Sequence, residues 1–399
     1  HFTEIPSELL VEGWGYPITG VVNQVWDQFT GRAAVNWTPK LNFTDQTLIY
    51  GSYAHGYKAG GANPPGAVLL RYNSDQEIST PIHPLTFKPE FVDAFEIGTK
   101  NTLFDGAMTL NISGFYYNYE NYQISEIVDR TSINLNFDAH VKGAEVEATW
   151  EPVPGLRFNF AGGYEDARLA KGTKAIDLMD RTAGNPGWIV EKPFVTQASN
   201  CVVPIYTIEE GFVIRCGPYN TYAPDSHIDP ITNLPYVANP TTRYFPGPPG
   251  EPGEYETITG YSGFDISSAP NGGEGFDKDL SGNKLPNAPP LTVSGGAQYT
   301  IPLSSDWAGT LRADYYWQDY SWARVFNDNP YDRLRGYTNV NLTLIFTSQS
   351  GWQVMLYDKN VFNTTAITGT FLNSDDSGLT TNVFLTDPKL IGVRVTKNW

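Results

Sequence analysis

The sequence has few cysteines and no long apolar run, and both shortages carry information. Among 399 residues there are 2 Cys, at Cys201 and Cys216. Two nearby cysteines in an otherwise cysteine-free chain fit one disulfide bond formed in an oxidising compartment, such as the periplasm or the cell surface. No run approaches the ~18 apolar residues of a transmembrane helix, so that class of membrane segment is excluded.

Basic residues are also scarce relative to acidic ones. The formal net charge is −17, which argues against nucleic-acid binding because phosphate neutralisation needs an excess of Lys and Arg. The first ten residues, HFTEIPSELL, do not read as a basic start followed by an apolar core, so no signal peptide is expected there. Either a leader has been removed or the chain begins partway through a longer protein.

The motifs of common enzyme and metal sites are missing. The sequence has no G-x-S-x-G, P-loop or dinucleotide-binding motif, and its five histidines show no H-x-x-x-H or H-x-E spacing. Asp277, Asp279 and Ser281 resemble the start of a calcium loop, but its twelfth position is Ala288 rather than Glu. We therefore expect no catalytic residue, no metal site and no cofactor.

Aromatic and turn-forming residues are plentiful. The chain contains 24 Tyr, 21 Phe, 10 Trp, 38 Gly and 29 Pro, a composition typical of turn-rich all-β proteins. Mean hydropathy is −0.32, which would ordinarily favour a soluble protein. Strands that alternate apolar and polar residues conceal a membrane-facing side from such an average, so the index does not decide.

The segment 89–123 shows the pattern most clearly. It reads as two long strands joined by a tight turn at Asp105 and Gly106, residues that tolerate the positive φ of a hairpin. After the turn, Met108, Leu110, Ile112 and Tyr116 share one side, whereas Thr109, Asn111 and Ser113 share the other. The strand is long and ends in clustered aromatics, as in outer-membrane β-barrels.

Similar segments recur along the chain, and we count about eleven strands. The connections between them alternate in length. Short turns are expected at 40–46, 105–106, 151–155, 303–309 and 348–351, and longer loops at 58–88, 128–138, 171–286, 322–336 and 361–387. Short turns on one rim and long loops on the other indicate the periplasmic and extracellular sides of a transmembrane barrel.

Several segments in order resemble the C-terminal half of a TonB-dependent outer-membrane receptor. They are LIYGSYAHGYKAGGAN (48–63), FVDAFEIGTKNTLFDGAMTLNISGFYYNYENYQ (91–123), VKGAEVEATWEPVPGLRF (141–158), GNKLPNAPPLTVSGGAQY (282–299), YDKNVFN (357–363) and the terminal strand to Trp399. The resemblance implies an antiparallel 22-stranded barrel, closed by an N-terminal plug, that imports a scarce nutrient across the outer membrane of a Gram-negative bacterium.

The same resemblance implies the partners. They are outer-membrane lipid and lipopolysaccharide, the plug domain and remaining strands in the same or a separate chain, and the inner-membrane TonB energy-transducing complex. The plug and about half of the strands are absent from residues 1–399. We therefore expect a fragment, or one piece of a split receptor, that forms the C-terminal portion of the barrel with a long extracellular loop at 171–286.

Two sets of site residues are predicted. Glu145, Glu147, Arg312 and Asp314 fall on the polar side of their strands and are expected to face the lumen and the plug. Tyr57, Lys58, Trp322 and Arg324 lie where strands give way to long loops, and their aromatic and cationic groups could hold an anionic or ring-bearing ligand. The alternative for these aromatics is a place in the outer aromatic girdle.

Three functions remain open at the level of sequence. The first is active uptake of a ferric siderophore, a cobalamin-like compound or an oligosaccharide, with no enzymatic activity. The second is a cell-surface scaffold or docking partner that uses the loop 171–286. The third is a soluble all-β binding module, which would pack the apolar sides of its strands, including Leu110, Ile112, Val393 and Val395, beneath another layer of protein.

Overall fold

One eleven-stranded antiparallel sheet dominates the fold. The computed structural model describes residues 23–63, 86–128, 131–191, 200–209, 242–245, 254–257, 268–373 and 380–398. The sheet strands are β1 (Gly31–Trp37), β2 (Gln46–Lys58), β3 (Glu90–Leu103), β4 (Met108–Val128), β5 (Thr131–Val153), β6 (Leu156–Leu169), β7 (Leu291–Pro302), β8 (Trp307–Gln318), β9 (Tyr337–Ser348), β10 (Trp352–Lys359) and β11 (Leu390–Lys397). They pair in chain order from β1 to β11, which confirms the predicted all-β class and the number of strands.

The long connections contain short elements of secondary structure. The two-stranded pairs are Gly61–Ala62 with Thr86–Phe87, Lys174–Ile176 with Asp277–Asp279, Trp188–Glu191 with Cys201–Pro204, Thr242–Phe245 with Glu254–Thr257, Ser321–Trp322 with Arg333–Leu334, and Ile367–Leu372 with Thr381–Leu385. The described part also contains an α-helix, Ile205–Glu209, and 3-10 turns at Pro270–Gly273 and Pro330–Asp332. None of the described helices has the length and apolar character needed to cross a membrane.

The hairpin predicted around Asp105 and Gly106 is confirmed. β3 and β4 pair from Leu103 and Met108 outward. Phe104, Asp105 and Gly106 all have positive φ, at 59°, 54° and 86°. Gly106 adopts this conformation at no steric cost, which explains why the turn forms at this dipeptide.

The alternation of short and long connections is confirmed for the described strands, with one correction. Residues 128–138 are wrongly predicted as a loop, because β5 begins at Thr131 and its ladder with β4 runs on from Tyr122 to Val128. The strand continues through these residues because they alternate again, with Ile133, Leu135 and Phe137 on one face. Residues 129–130 lie outside the described part.

A β-bulge separates this extension from the rest of the hairpin. The register shifts between Tyr119 and Tyr122, and Asn121 within the bulge has a φ of 56°. The Asn121 amide donates to the Asp138 carboxylate (2.9 Å), and the Asn136 side chain donates to the Asn121 carbonyl (2.8 Å). These bonds replace the ladder contacts that the bulge removes, so the hairpin continues past it.

The cross-strand register gives the sheet one apolar face. Directly opposed residues share a face, and one such row joins Ile49, Thr99, Ile112, Val146, Gly162, Val293 and Trp317. Ile112, Val393 and Val395 on this apolar face are 46%, 64% and 59% exposed. The packing that a soluble module would require over these side chains is therefore not seen in the described residues.

Aromatic residues border the apolar face at both ends. Trp37, Trp150 and Trp352 are exposed toward the short-turn end, and Phe95, Tyr116 and Tyr164 toward the long-loop end. On β4, Met108 opposes Trp150 and lies eight residues before Tyr116, or about 26 Å along the strand at ~3.3 Å per residue. With strands tilted by ~35–45°, this separation approaches the ~25 Å apolar band of a transmembrane barrel.

Candidate functional site: a polar wall and a loop cap

The polar face carries the residues predicted to line a lumen. Glu145 opposes Ser113 and Glu147 opposes Asn111, and both carboxylates are exposed on this polar face. The same register row as Glu145 runs through Gly163 and Thr292. We call this face, from β4 to β8, the polar wall.

Arg312 and Asp314 form a second polar group on the wall. The Arg312 guanidinium donates to both carboxylate oxygens of Asp314, once at 2.8 Å, and to the Gln298 side chain at 3.0 Å. It also donates to Asn159 on β6 at 3.3 Å. This bidentate pairing fixes the guanidinium plane across three neighbouring strands.

At the long-loop end, folded connections cover the polar wall. We call residues 170–191, 268–290 and 319–336 the loop cap. Its Ala175, Leu280, Leu285, Val325 and Phe326 pack with strand residues Ala139, Val141, Ala167 and Leu169 in one buried cluster. The hairpin extension contributes Tyr122, Ile124 and Phe137 to the same cluster. The apolar side of that extension therefore supports the cap rather than facing solvent.

A charged network crosses the loop cap. The Arg324 guanidinium contacts Asp177 at 2.7 Å and Asp332 at 2.6 Å, which joins the connection after β6 to the connection after β8. Burial alone would lower the pKa of Arg324, but the hydrogen bonds to Asp332 and Asp177 raise it above its ordinary value. Arg324 is therefore held charged within the cap.

Lys278 is the second cation of this network. Its ammonium lies 2.7 Å from Asp328, 2.9 Å from Asp180 and 3.2 Å from Asp177. Burial alone would lower the pKa of Lys278, but hydrogen bonds to Asp328 and Asp180 and the charge of Asp177 raise it. Burial likewise acts to raise the pKa of Asp180, but the hydrogen bonds from Lys278 and Thr182 lower it overall.

Arg181 and Glu274 form the most deeply buried ion pair of the cap. Their side chains are 2% and 8% exposed, and the closest N···O distance is 2.8 Å. Arg181 also donates to the Glu274 carbonyl at 3.0 Å. Two segments more than ninety residues apart are thereby joined, and a buried charge of either sign would be costly without its partner.

Glu126 projects from the hairpin extension toward these charges. It opposes Ile133, which is fully buried against Leu178 of the cap. Burial raises the pKa of Glu126 to about 7, the positive charge of Arg181 partly offsets this, and Asp177 reinforces it. The carboxyl therefore changes charge near neutral pH.

The four predicted ligand residues fall in different surroundings. Tyr57 opposes Phe91 on the apolar face and stacks on it at 6.4 Å between ring centroids, a position that matches the girdle alternative. Lys58 opposes Glu90 on the other face. Trp322 is partly buried and pairs with Arg333, whereas Arg324 is 15% exposed and already engaged with two carboxylates. The structure thus does not bring the four together, and their role in binding stays a prediction.

Sequence reasoning missed the cap network. Asp177, Arg181, Glu274, Lys278 and Asp332 lie in stretches without strand periodicity, and only the folded connections bring them together. Cys201 is disulfide-bonded and its partner in the predicted pairing, Cys216, lies outside the described residues. No group of His, Cys, Asp and Glu suited to a metal ion occurs in the described ranges.

Comparison with known proteins identifies the first half of the sheet. Residues 12–191 match the family model described as "TonB dependent receptor-like, beta-barrel". Over this range the chain is similar to the barrel of TonB-dependent receptors. The match covers β1 to β6, and the predicted resemblance is confirmed. The family is one of receptors and transporters rather than enzymes. No curated relative matches the chain.

Solved structures of uptake receptors and of a transporter are similar to this chain. The ferric yersiniabactin uptake receptor FyuA of Yersinia pestis is 14% identical with a TM-score of 0.50, over 92% of this chain and 36% of its own. The siderophore receptor PiuA of Acinetobacter baumannii is 14% identical with a TM-score of 0.48, over 92% and 35%. The copper transporter OprC is 10% identical with a TM-score of 0.45, over 91% and 38%. The chain thus spans slightly more than a third of the length of these structures.

Proposed function

We propose that this chain is the C-terminal part of a TonB-dependent outer-membrane transporter, the integral barrel through which a Gram-negative bacterium imports a scarce nutrient. One observation carries the proposal: the sheet has an exposed apolar face bordered by aromatic residues, and a polar face covered at its long-loop end by the loop cap. An apolar outer face and a polar interior are what a barrel in lipid requires.

The exposed apolar face weighs against the soluble-module alternative. Ile97 and Ile391 are 66% and 70% exposed, and each such side chain would gain roughly 1.5–3 kcal/mol from burial. Leaving a row of them in water would be costly and would favour aggregation. Contact with lipid removes that cost.

The lengths of the connections suggest how the barrel is oriented in the outer membrane. The short turns would lie on the periplasmic side, and the loop cap would lie outside the cell. A transporter of this class also needs the plug, the remaining barrel strands and the energy-transducing complex of the inner membrane. We propose these as partners, together with the surrounding lipid.

We propose a ferric siderophore as the first substrate to test. FyuA, whose fold this chain shares, is described as a ferric yersiniabactin uptake receptor. Cobalamin-like compounds and oligosaccharides are the other substrate classes to include.

The docking alternative is favoured by one observation. Within the described parts of the loop 171–286, Cys201, Val203 and Ala269 form a buried cluster separate from the one that joins the loop cap to the strands. A folded surface unit could bind a protein partner instead of gating a lumen. Deleting residues 200–268 distinguishes docking from transport, because a docking surface would be lost while the barrel and the cap network remain.

Energy-dependent uptake tests the proposal directly. Cells with and without the protein would be compared for accumulation of radioactive iron supplied as a panel of ferric siderophores, with labelled cobalamin and oligosaccharides in parallel. We expect accumulation of one substrate that requires the protein and is abolished by a protonophore. Equal accumulation of all substrates in both strains, or purification of the protein without detergent, would contradict transport.

A further inference from the structure

The hairpin extension, residues 122–128 of β4 and 131–138 of β5, is held differently on its two sides. Apolar side chains occupy the side that packs against the loop cap, namely Tyr122, Ile124, Ile133, Leu135 and Phe137. Their partners in the cap include Leu178, which is buried against Ile133. We call this contact between the hairpin extension and the loop cap the seam.

Hydrogen bonds anchor the other side of the extension to the connection after β2. The Asn63 side chain accepts from the Asn134 amide at 2.8 Å and donates to the Asn134 carbonyl at 3.2 Å. The Asn136 side chain accepts from the Lys88 amide at 2.7 Å and donates to the Lys88 carbonyl at 3.0 Å. The Gln123 side chain donates to the same carbonyl at 3.2 Å. These are amide and carbonyl groups, so the anchor does not depend on pH.

The seam, by contrast, contains a titratable side chain among its apolar residues. Glu126 directly opposes Ile133, so it lies on the side of the extension that faces the cap. It is half-buried there. A neutral carboxyl is tolerated in such a place, whereas a carboxylate loses part of its hydration.

The charged groups that face Glu126 come from all three segments of the loop cap. They are Arg181 and Asp177 from 170–191, Glu274 from 268–290 and Arg324 from 319–336. On the extension itself, Asp138 lies at the bulge, where it accepts from the Asn121 amide. Glu126 thus meets two cations and two carboxylates across the seam.

Both cations already have carboxylate partners within the cap. Arg181 pairs with Glu274 at 2.8 Å, and Arg324 pairs with Asp177 at 2.7 Å and with Asp332 at 2.6 Å. An ionised Glu126 would therefore compete with these carboxylates for the same guanidinium groups. Separation of the extension from the cap would instead return the carboxylate to water, so ionisation favours an open seam.

We propose that the seam opens as the pH rises through neutrality. In acidic surroundings the neutral carboxyl of Glu126 lets the loop cap rest on the hairpin extension. In alkaline surroundings the carboxylate drives the two apart, while the extension stays anchored to the connection after β2. The inference rests on the proposed function, because the seam controls entry to a lumen only if the sheet belongs to a barrel.

Thiol labelling measures the opening. Leu178, which is 8% exposed, would be changed to Cys in the full chain in detergent micelles. Its rate of reaction with a maleimide would be divided by the rate for exposed Ser132→Cys at the same pH, which cancels the ionisation of the thiol. Cys201 is disulfide-bonded, and the part of the chain that the structure describes contains no free cysteine.

The normalised rate should rise between pH 5.5 and pH 8.5. We expect an increase of roughly tenfold or more, with a ceiling of about 30-fold, because the pKa of Glu126 is raised from 4.5 to about 7 in the closed seam. Glu126→Gln cannot ionise and should give a slow rate that is equal at both pH values. Glu120→Gln, an exposed change on the same strand, should retain the rise.

Two results would overturn the proposal. One is a normalised rate that does not change with pH when Glu126 is present, and the other is a rise that persists in Glu126→Gln. Heat-modifiable migration on gels shows that each variant is folded. If Leu178→Cys does not fold, Leu135→Cys reports from the opposite side of the seam.

Failure of the seam is distinguishable from failure of transport. If the protein imports its substrate but the normalised labelling rate is independent of pH, only the seam is misassigned. If labelling rises with pH and Glu126→Gln abolishes the rise, but no substrate is imported, the seam titrates and the proposed function fails.

Discussion

Glu126 illustrates how a half-buried position changes the chemistry of one side chain. Its pKa is raised from 4.5 to about 7, first by burial. An acid whose folded-state pKa lies above the unfolded value resists ionisation in the folded state. The shifted pKa of Glu126 therefore has no effect on the stability of the folded state below about pH 4.5. It lowers that stability progressively as the pH rises from there through about 7.

Replacing this carboxyl should remove the pH dependence. We expect Glu126→Gln to stabilise the loop cap by roughly 2–3 kcal/mol at most at pH 8 and to leave it unchanged at pH 4. Hydrogen exchange of residues 122–126, compared with the unaltered protein at matched pH, measures this. Glu120→Gln, an exposed change on the same strand, serves as control. A stabilisation of equal size at both pH values would argue against a raised pKa of Glu126 in the folded state.

The Arg181–Glu274 pair should behave as a buried ion pair. Arg181→Met leaves the Glu274 carboxylate, 8% exposed, without its guanidinium, and should destabilise the cap by about 3–5 kcal/mol. Arg157→Met removes the exposed pair with Glu151 and should cost less than about 1 kcal/mol. Denaturant-dependent protection of residues 174–181 from hydrogen exchange gives both values. Equal costs would show that burial does not set the strength of the pair.

At the scale of elements, close backbone approach at Gly143 leaves little room for a side chain. A Cβ on Gly143 of β5 would lie 2.2 Å from the Tyr164 carbonyl oxygen and 2.5 Å from the Phe115 ring. On neighbouring β4, a Cβ on Gly114 would find its nearest atom at 3.8 Å. The two positions share the sheet but differ in available space.

This difference predicts unequal effects of alanine. Gly143→Ala should destabilise the barrel by about 1–3 kcal/mol through overpacking, whereas Gly114→Ala should be nearly neutral. The temperature at which each variant loses its heat-modifiable gel migration is the measurement. A similar temperature for both would mean that the strands shift easily to admit a methyl group at Gly143.

The elements also show what the sequence can and cannot predict. Alternation located the eleven strands, and Asp105-Gly106 located a turn, because both signals are local. The extension 131–138 was missed, although Ile133, Leu135 and Phe137 alternate, since a bulge interrupts the pattern. The cap network could not be predicted from the sequence because Asp177 and Lys278 meet only through tertiary folding.

For the whole molecule, the account requires the two faces of the sheet to meet different environments. Ile112 and Ser113 are neighbours on β4 that project to opposite faces, and Ser113 opposes Glu145. Ile112→Arg should destabilise the barrel by roughly 2–4 kcal/mol, the cost of a cation near the bilayer midplane. Ser113→Arg should cost much less because a carboxylate is adjacent. Urea unfolding in vesicles measures the destabilisation caused by each substitution. A larger cost for Ser113→Arg than for Ile112→Arg would show that the two faces are assigned wrongly.

The most direct test is a nitroxide scan of residues 108–117 on β4 in the membrane-inserted protein. Collision rates with oxygen, which concentrates in lipid, and with a water-soluble nickel chelate would be measured at each position. The account predicts an alternation of period two, with oxygen favoured at Leu110, Ile112 and Gly114 and nickel favoured at Asn111 and Ser113. Equal nickel access on both faces, or neither reagent reaching Ile112, would contradict a lipid-facing apolar surface.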